Sequence, residues 1–176
     1  MTRELVSKSR VKKLLTTCLA TPLGMKDTTI TLTPAQHARF PRCHNTKGKE
    51  TPPWEFGCLE GFGAIRSTVK DMLRFTEANL DRQSMTLGPA FGLSHDKWRE
   101  IGDQDPYVEY IGFCWTHAKT AKAERHMIWH NGATYGSCSF LGFMPKSGVG
   151  LVILSNSGHD LDALGFQLLE KLGKER

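Results

Sequence analysis

The sequence predicts an α+β fold, a single domain in which an antiparallel sheet of about three to four strands is flanked by helices. Three observations predict it. From residue 111 onward, segments 111–118, 127–134, 137–144 and 149–155 are rich in aromatic and β-branched residues and bounded by turn residues. They follow one another without intervening helical patterns, which excludes a βαβ arrangement. A leucine stripe (Leu161, Leu164, Leu168 and Leu172) then recurs at helical spacing behind Asp160 and Asp162, acids that favour a helix N-terminus. A chain of 176 residues, 39% hydrophobic and 23% charged, has the size and composition of one globular domain.

The elements follow in order. Leu14, Leu15, Cys18 and Leu19 share a helical face, and Pro22 ends that helix by Thr21. Pro22-Leu23-Gly24-Met25 is a turn, and residues 28–33 alternate like a short strand or extended segment. Residues 41–63, with Pro41, Pro52, Pro53 and their glycines, read as a long surface connection. The next helix starts at Ser67 or Thr68, with Asp71 placed three residues after Thr68 as in a capping box. Val69, Met72, Leu73 and Leu80 form its apolar face, and residues 81–110 are polar and irregular. Pro145-Lys146-Ser147-Gly148 makes the last hairpin turn, and the unbroken apolar run 149–154 predicts a strand buried on both faces.

Charge and cysteine content narrow the function. Most of the net charge of +5 sits in the first thirteen residues, where Arg3, Lys8, Arg10, Lys12 and Lys13 face only Glu4. This basic N-terminal extension is a solvated helix rather than a nucleic-acid contact, since no reader motif or aromatic platform accompanies it. No apolar run approaches the ~18 residues of a membrane span, and no signal-peptide pattern is present. Five cysteines (Cys18, Cys43, Cys58, Cys114 and Cys138), without CxxC spacing, read as reduced thiols of a cytoplasmic protein.

Few residues carry chemistry on their own. Ser9-x-x-Lys12 and Ser67-x-x-Lys70 each place a lysine one helical turn beyond a serine, within reach as a base for that hydroxyl, and the pattern is weak enough that a helix cap at Ser67 and a surface position at Ser9 are the competing readings. His126-x-x-x-His130 with Cys114 suggests a metal, but on a strand the two histidines lie about 13 Å apart. No metal and no cofactor are expected.

The ordered set of motifs says more. Pro22 to Thr28, Arg66 to Phe75, Gly112 to Trp115, Trp129-His130-Asn131-Gly132, Phe140 to Phe143 and Leu154-Ser155-Asn156 occur in a sequence and spacing that resembles the serine β-lactamase family. That family comprises class C β-lactamases, DD-peptidases and related esterases. The resemblance runs from about Leu14 to Leu172. It implies hydrolysis of a small-molecule acyl substrate, a β-lactam, an ester or a D-amino-acid peptide, through an acyl-enzyme. His130-Asn131-Gly132 stands in the family's Lys-Thr-Gly slot. By that resemblance His130 holds a substrate carboxylate, Gly132 allows close approach, Ala133 N–H donates to the oxyanion, and Asn131 and Tyr135 line the substrate.

The family's Ser-x-x-Lys and Tyr-x-Asn elements lie upstream of the matching region, so the resemblance places this chain as a C-terminal half. Ser67 and Lys70 are then its own candidates for nucleophile and base, with Ser9 a weaker match, and Tyr107, Tyr110 or Tyr135 for the tyrosine. The alternative is a non-catalytic remnant or split half acting as a binding module. Without its partner strands, the apolar segment 149–155 becomes an edge, which points to a homodimer. A signal-bearing upstream half would move the expected location to the periplasm or outside the cell.

Overall fold

The computed structural model describes residues 10–57, 59–81, 86–101, 107–118 and 126–174. The chain clusters into two compact units: Met1–Phe75 with Gly132–Cys138 and Leu154–His159, and Thr76–Asn131 with Ser139–Ile153 and Asp160–Arg176. Ser9 and the basic residues before it lie outside the described residues. No helix among the described residues is long and apolar enough to cross a membrane.

In the first unit, residues 10–20 are helical, and the last turn, Leu15–Ala20, is wound as a π-helix that closes with Thr21 N–H donating to Thr16 O at 2.9 Å. Leu15 packs with Ile30 and Ala64, and Val11, Leu19 and Phe56 lean on that small core. Residues 28–33 are extended but form one bridge, Thr29 to Arg66, rather than a strand. Thr33 then leaves the extended run to cap α1 (Pro34–Arg39) through a full capping box with Gln36. The segment predicted as bare connection holds a small antiparallel hairpin, β1 (Cys43–His44) with β2 (Glu50–Thr51), and a 3₁₀ turn, Glu60–Phe62.

Helix α2 (Val69–Leu80) starts where the sequence places it, but its cap is only half a box. Thr68 Oγ1 accepts from Asp71 N–H at 3.3 Å. The Asp71 carboxylate instead accepts from Asp27 N–H at 2.7 Å and Thr28 Oγ1 at 2.9 Å. Ser67 Oγ joins Thr28 Oγ1 at 2.8 Å, and Arg74, 3.9 Å from Asp71, donates to the Gly24 carbonyl. Asp71 therefore ties the helix start to the turn around Gly24, where a φ of 64° suits glycine. The expected apolar face is corrected accordingly: Val69 and Leu73 are exposed, while Asp71, Thr76, Ala78 and Asn79 are buried. Hydrogen bonding, not hydropathy, chooses the inward side here.

The second unit is built on a sheet whose order is β3-β4-β5-β6-β7-β8. Its strands are β3 (Arg99–Glu100), β4 (Val108–Ile111), β5 (Thr116–Ala118), β6 (Ile128–Ala133), β7 (Cys138–Met144) and β8 (Val149–Ser155). Among the described residues this sheet has six strands, where three or four are expected. Residues 81–110 are not irregular throughout, since they contain α3 (Gly88–Ser94), β3 and most of β4. The single strand predicted over 111–118 is two, separated by a turn in which Gly112 N–H donates to Trp115 O at 2.8 Å. A Cβ on Gly112 would stand 2.6 Å from Asp96 O, so only glycine fits that turn. β3 to β6 pair antiparallel, and the short connections after β6 and β7 permit only hairpins.

β7 is the strand buried on both faces, with Phe140, Phe143 and Met144 almost fully covered. The prediction that β8 is buried on both faces is corrected. β8 is half-buried, with Leu154 exposed, because it ends the sheet. Helix α4 (Asp162–Lys174) also turns differently from the leucine stripe. Gly165 and Leu169 are buried, whereas Leu164, Leu168 and Leu172 are exposed. The reason is steric. A Cβ on Gly165 would lie 2.6 Å from the Phe140 ring, so this glycine lets the helix settle onto the sheet. Phe166 beside it contacts Trp129 (4.8 Å between centroids) and Phe140 (5.6 Å).

His117 on β5 is fully covered, and its Nδ1 lies 2.8 Å from Nε2 of His126 with the two rings stacked. Burial, then the positive charges of His126, Lys97 and His95, hold the His117 imidazole down to about 4. Burial also lowers His126, helped by Lys97 and opposed by Glu109.

Two outcomes follow from these contacts. Asp71→Ala leaves the Asp27 N–H and Thr28 hydroxyl without their acceptor and is expected to destabilise the protein by about 2–3 kcal/mol, read from the urea midpoint. The unfolded chain binds a proton at His117 near 6.5 and the folded one only near 4, so stability is complete above 6.5 and falls as pH drops through that window. Urea midpoints measured from pH 7 downward should show this slope, and His117→Gln should flatten it.

Candidate functional site

β6 changes character along its length. Ile128 and Trp129 are buried, and the next four residues, His130 to Ala133, are exposed. The strand is anchored at its buried end: Thr116 Oγ1 donates to Trp129 O at 2.7 Å, and Trp129 stacks on Phe140 at 5.8 Å. It leaves the core where the sequence places its candidate site residues.

At His130, Nδ1 lies 2.5 Å from the Asn131 carbonyl oxygen. A carbonyl only accepts, so Nδ1 carries the proton. Asn131 Nδ2 donates to Asp162 Oδ2 at 2.7 Å, and Asp162 N–H donates to Asp160 Oδ1 at 2.9 Å. Partial burial pushes the Asp162 carboxyl above the usual range; the Asn131 amide works against that shift, Asp160 adds to it, and His130 opposes it. Asp162, the partner of Asn131, is taken by sequence reasoning only as a helix start. Thirty-one residues separate it from Asn131, and no local pattern links them.

Gly132 and Ala133 continue the exposed strand in the first unit, leading to a tight turn in which Thr134 N–H donates to Ser137 O at 2.8 Å. Gly136 in this turn has no room for a Cβ, which would sit 2.7 Å from Cys43 Cβ, so β1 packs directly on the turn. Tyr135 at its tip is 72% exposed and meets Trp54 edge-on at 5.1 Å.

The remaining candidates lie elsewhere. Ser67 Oγ is bonded to Thr28 in the α2 cap, and Lys70 is exposed, with no hydrogen bond between the two among the described residues. His126 precedes β6 and pairs with His117 instead of sharing a strand face with His130. Tyr107 stacks on Phe166 at 5.8 Å, and the Tyr110 ring lies under Lys97 Nζ at 4.2 Å. A cleft of about 310 Å³ in the first unit, lined by residues such as Phe40, Phe56, Glu60 and Arg66, includes none of these candidates. The Arg66 guanidinium there is already committed to Ile30 O and Trp54 O.

Comparison with known proteins places this geometry. The Beta-lactamase family model matches residues 4–172. A curated beta-lactamase of Lysobacter lactamgenus is 23% identical over 177 aligned residues, covering 86% of this chain and 46% of that protein. A class C beta-lactamase structure superposes with a TM-score of 0.79 at 17% identity, covering 96% of this chain and 54% of that one. A tyrosine-to-phenylalanine mutant of a class C beta-lactamase gives 0.78 over 96% and 55%. The chain thus spans about half the length of the relatives it matches. Its mixed α and antiparallel β architecture is that of a class C β-lactamase-like fold, and with nearly its whole length matched by the family model, the chain belongs to the beta-lactamase family.

Proposed function

We propose that this protein acts in serine acyl transfer of the β-lactamase type, hydrolysing a β-lactam, an ester or a D-amino-acid peptide through an acyl-enzyme. The observation that carries this reading is the exposed half of β6, His130 to Ala133, the residues that by the sequence resemblance stand in the family's Lys-Thr-Gly slot. In such chemistry a serine hydroxyl adds to the acyl carbon while a base takes its proton. The bond to the leaving amine or alcohol then breaks as that group is protonated, and water repeats the addition to release the acid. By the family resemblance the Ala133 N–H is the oxyanion donor, and the absent Cβ at Gly132 leaves room for a substrate close to the strand. Ser67 and Lys70 are the chain's own Ser-x-x-Lys pair, but the Thr28 bond of Ser67 supports a capping role.

Nitrocefin and p-nitrophenyl acetate test the proposal. A burst of product and a covalent adduct by mass spectrometry are expected, and His130→Ala should slow acylation about 10- to 100-fold. Ser67→Ala should leave the adduct in place and lower stability by about 1 kcal/mol. No adduct from either probe would overturn the acyl-transfer reading, and loss of the adduct in Ser67→Ala would make Ser67 the nucleophile.

A second copy of the chain is the partner we propose for the sheet edge. β8 ends the sheet with Leu154 exposed, and α4 presents Leu164, Leu168 and Leu172 to solvent. Antiparallel pairing of two such edges about a two-fold axis covers both at once. Sedimentation equilibrium should give twice the chain mass, and Leu154→Lys should return it to the monomer value. A wild-type monomer at all concentrations would rule the pairing out.

A further inference from the structure

The cleft in the first unit includes no residue of β6 and is built on that unit's own core. Ile30 and Ala64, which pack with Leu15, and Phe56, which leans on them, all line it, so its floor is a dry contact. Arg66 ties the extended segment to the stretch 53–57: Nη1 donates to Ile30 O at 2.6 Å and Nη2 to Trp54 O at 3.2 Å. Those bonds use two of the guanidinium's five N–H donors and leave three. Glu60 lines the same cleft, and its Oε2 is buried with no hydrogen-bond partner among the described residues. A buried carboxylate oxygen without a donor is costly, so a group that supplies one there is favoured. The carboxylate turns readily about its terminal torsion, which lets either oxygen meet a donor in the cleft. Phe40 and Phe56 add half-buried aromatic surface, and His37 and Glu55, both exposed, complete the titratable lining.

We propose that this cleft binds a free α-amino acid with an apolar side chain. Three kinds of group line one cavity: a carboxylate short of a donor, a guanidinium with donors to spare, and aromatic rings. An α-ammonium gives the Glu60 carboxylate its N–H donor, an α-carboxylate accepts from Arg66, and an apolar side chain covers Phe40 and Phe56. A simple amine or a simple acid leaves one of the two protein charges unmatched, and in a peptide the two end charges sit on different residues. The cleft's volume of about 310 Å³ equals that of about ten water molecules at ~30 Å³ each, which suits a ligand of phenylalanine's size. The site is independent of the acyl-transfer reading, since its occupant forms no covalent bond.

NMR titration of the isotope-labelled protein, read at the Phe56 and Ala64 backbone amides, tests this with phenylalanine, phenylalaninamide and N-acetylphenylalanine, each as both enantiomers. At least one enantiomer of phenylalanine should shift both amides saturably. It should bind at least about ten-fold more tightly than the amide, which lacks the carboxylate, and than the N-acetyl compound, which lacks the ammonium. Glycine, with the same charges and no apolar body, should also bind at least about ten-fold more weakly. Glu60→Gln should bring phenylalanine and N-acetylphenylalanine to within about three-fold by weakening the free amino acid, with the urea midpoint confirming that the variant is folded. If Glu60→Gln does not fold, the wild-type ranking of the probes decides alone. No saturable shift with phenylalanine up to about 10 mM, a capped compound binding as tightly as phenylalanine, or an unchanged preference in folded Glu60→Gln would overturn the proposal. Each of these outcomes leaves the acyl-transfer reading where the ester and nitrocefin assays put it.

Discussion

The exposed end of β6 depends on three aromatic rings at its buried end. Trp129, Phe140 and Phe166 meet with centroids 4.8 to 5.8 Å apart, one pair stacked and two edge-on. Aromatic contacts of this kind add to their area burial and prefer defined geometry, so they fix direction as well as depth. Trp129 belongs to β6, Phe140 to β7 and Phe166 to α4, and the cluster therefore sets strand, neighbouring strand and helix against one another. Gly165 makes the approach possible, since any side chain there would enter the Phe140 ring. With α4 seated, Asp162 in its first turn falls at hydrogen-bonding distance from Asn131, one residue from where the strand leaves the core. The polar geometry of the site is inherited from a dry contact two to four residues away along each chain segment.

The first unit is organised by a different kind of contact. Asp71 is 3% exposed and collects an N–H and a hydroxyl from the turn that precedes it in space. A buried carboxylate is tolerated when its oxygens are bonded and a cation stands near, and Arg74 at 3.9 Å supplies the latter. Ser67 and Thr68 are drawn into the same arrangement, one through Thr28 and the other as the helix cap. A Ser-x-x-Lys spacing on a helix start is equally a capping pattern, because a serine favours the cap and a lysine one turn later points to solvent. The hydroxyl's partner separates the two readings, and at Ser67 that partner is Thr28.

The strands after residue 126, the turn at Pro145 to Gly148 and the position of α2 were legible because β-branched runs, turn residues and capping residues are local signals. The strand pair β4 and β5 and the helix α3 were not, since elements of three to seven residues hold at most about two periods of either pattern, too few for it to stand out. The burial of β8 and the inward face of α4 were misread for one shared reason. Hydropathy says which residues prefer to be covered, not which places in the fold have something to cover them. β8 is apolar but terminal, and the leucines of α4 lose the inward side to a glycine that fits against Phe140. The His130–Ala133 segment was found through its motif, while Asp162, the residue bonded to it, and the His117–His126 pair are joined across sequence gaps that no spacing rule encodes.

This difference bears on what a family slot transmits. A strand in the Lys-Thr-Gly position carries two separable properties. Its backbone N–H groups and the open face over Gly132 come with the fold and survive any exchange of neighbouring side chains. Its polarity does not, because that depends on which side-chain donors are left over after local bonds are made. Histidine can return its proton to the adjacent backbone, as it does here to Asn131 O, and an asparagine beside an aspartate gives it one of its two amide N–H groups. A lysine and a threonine in these positions present a cation and a hydroxyl that rotates to donate or accept. The side-chain bonds along this strand are thus set in part by Asp162, a residue outside the motif.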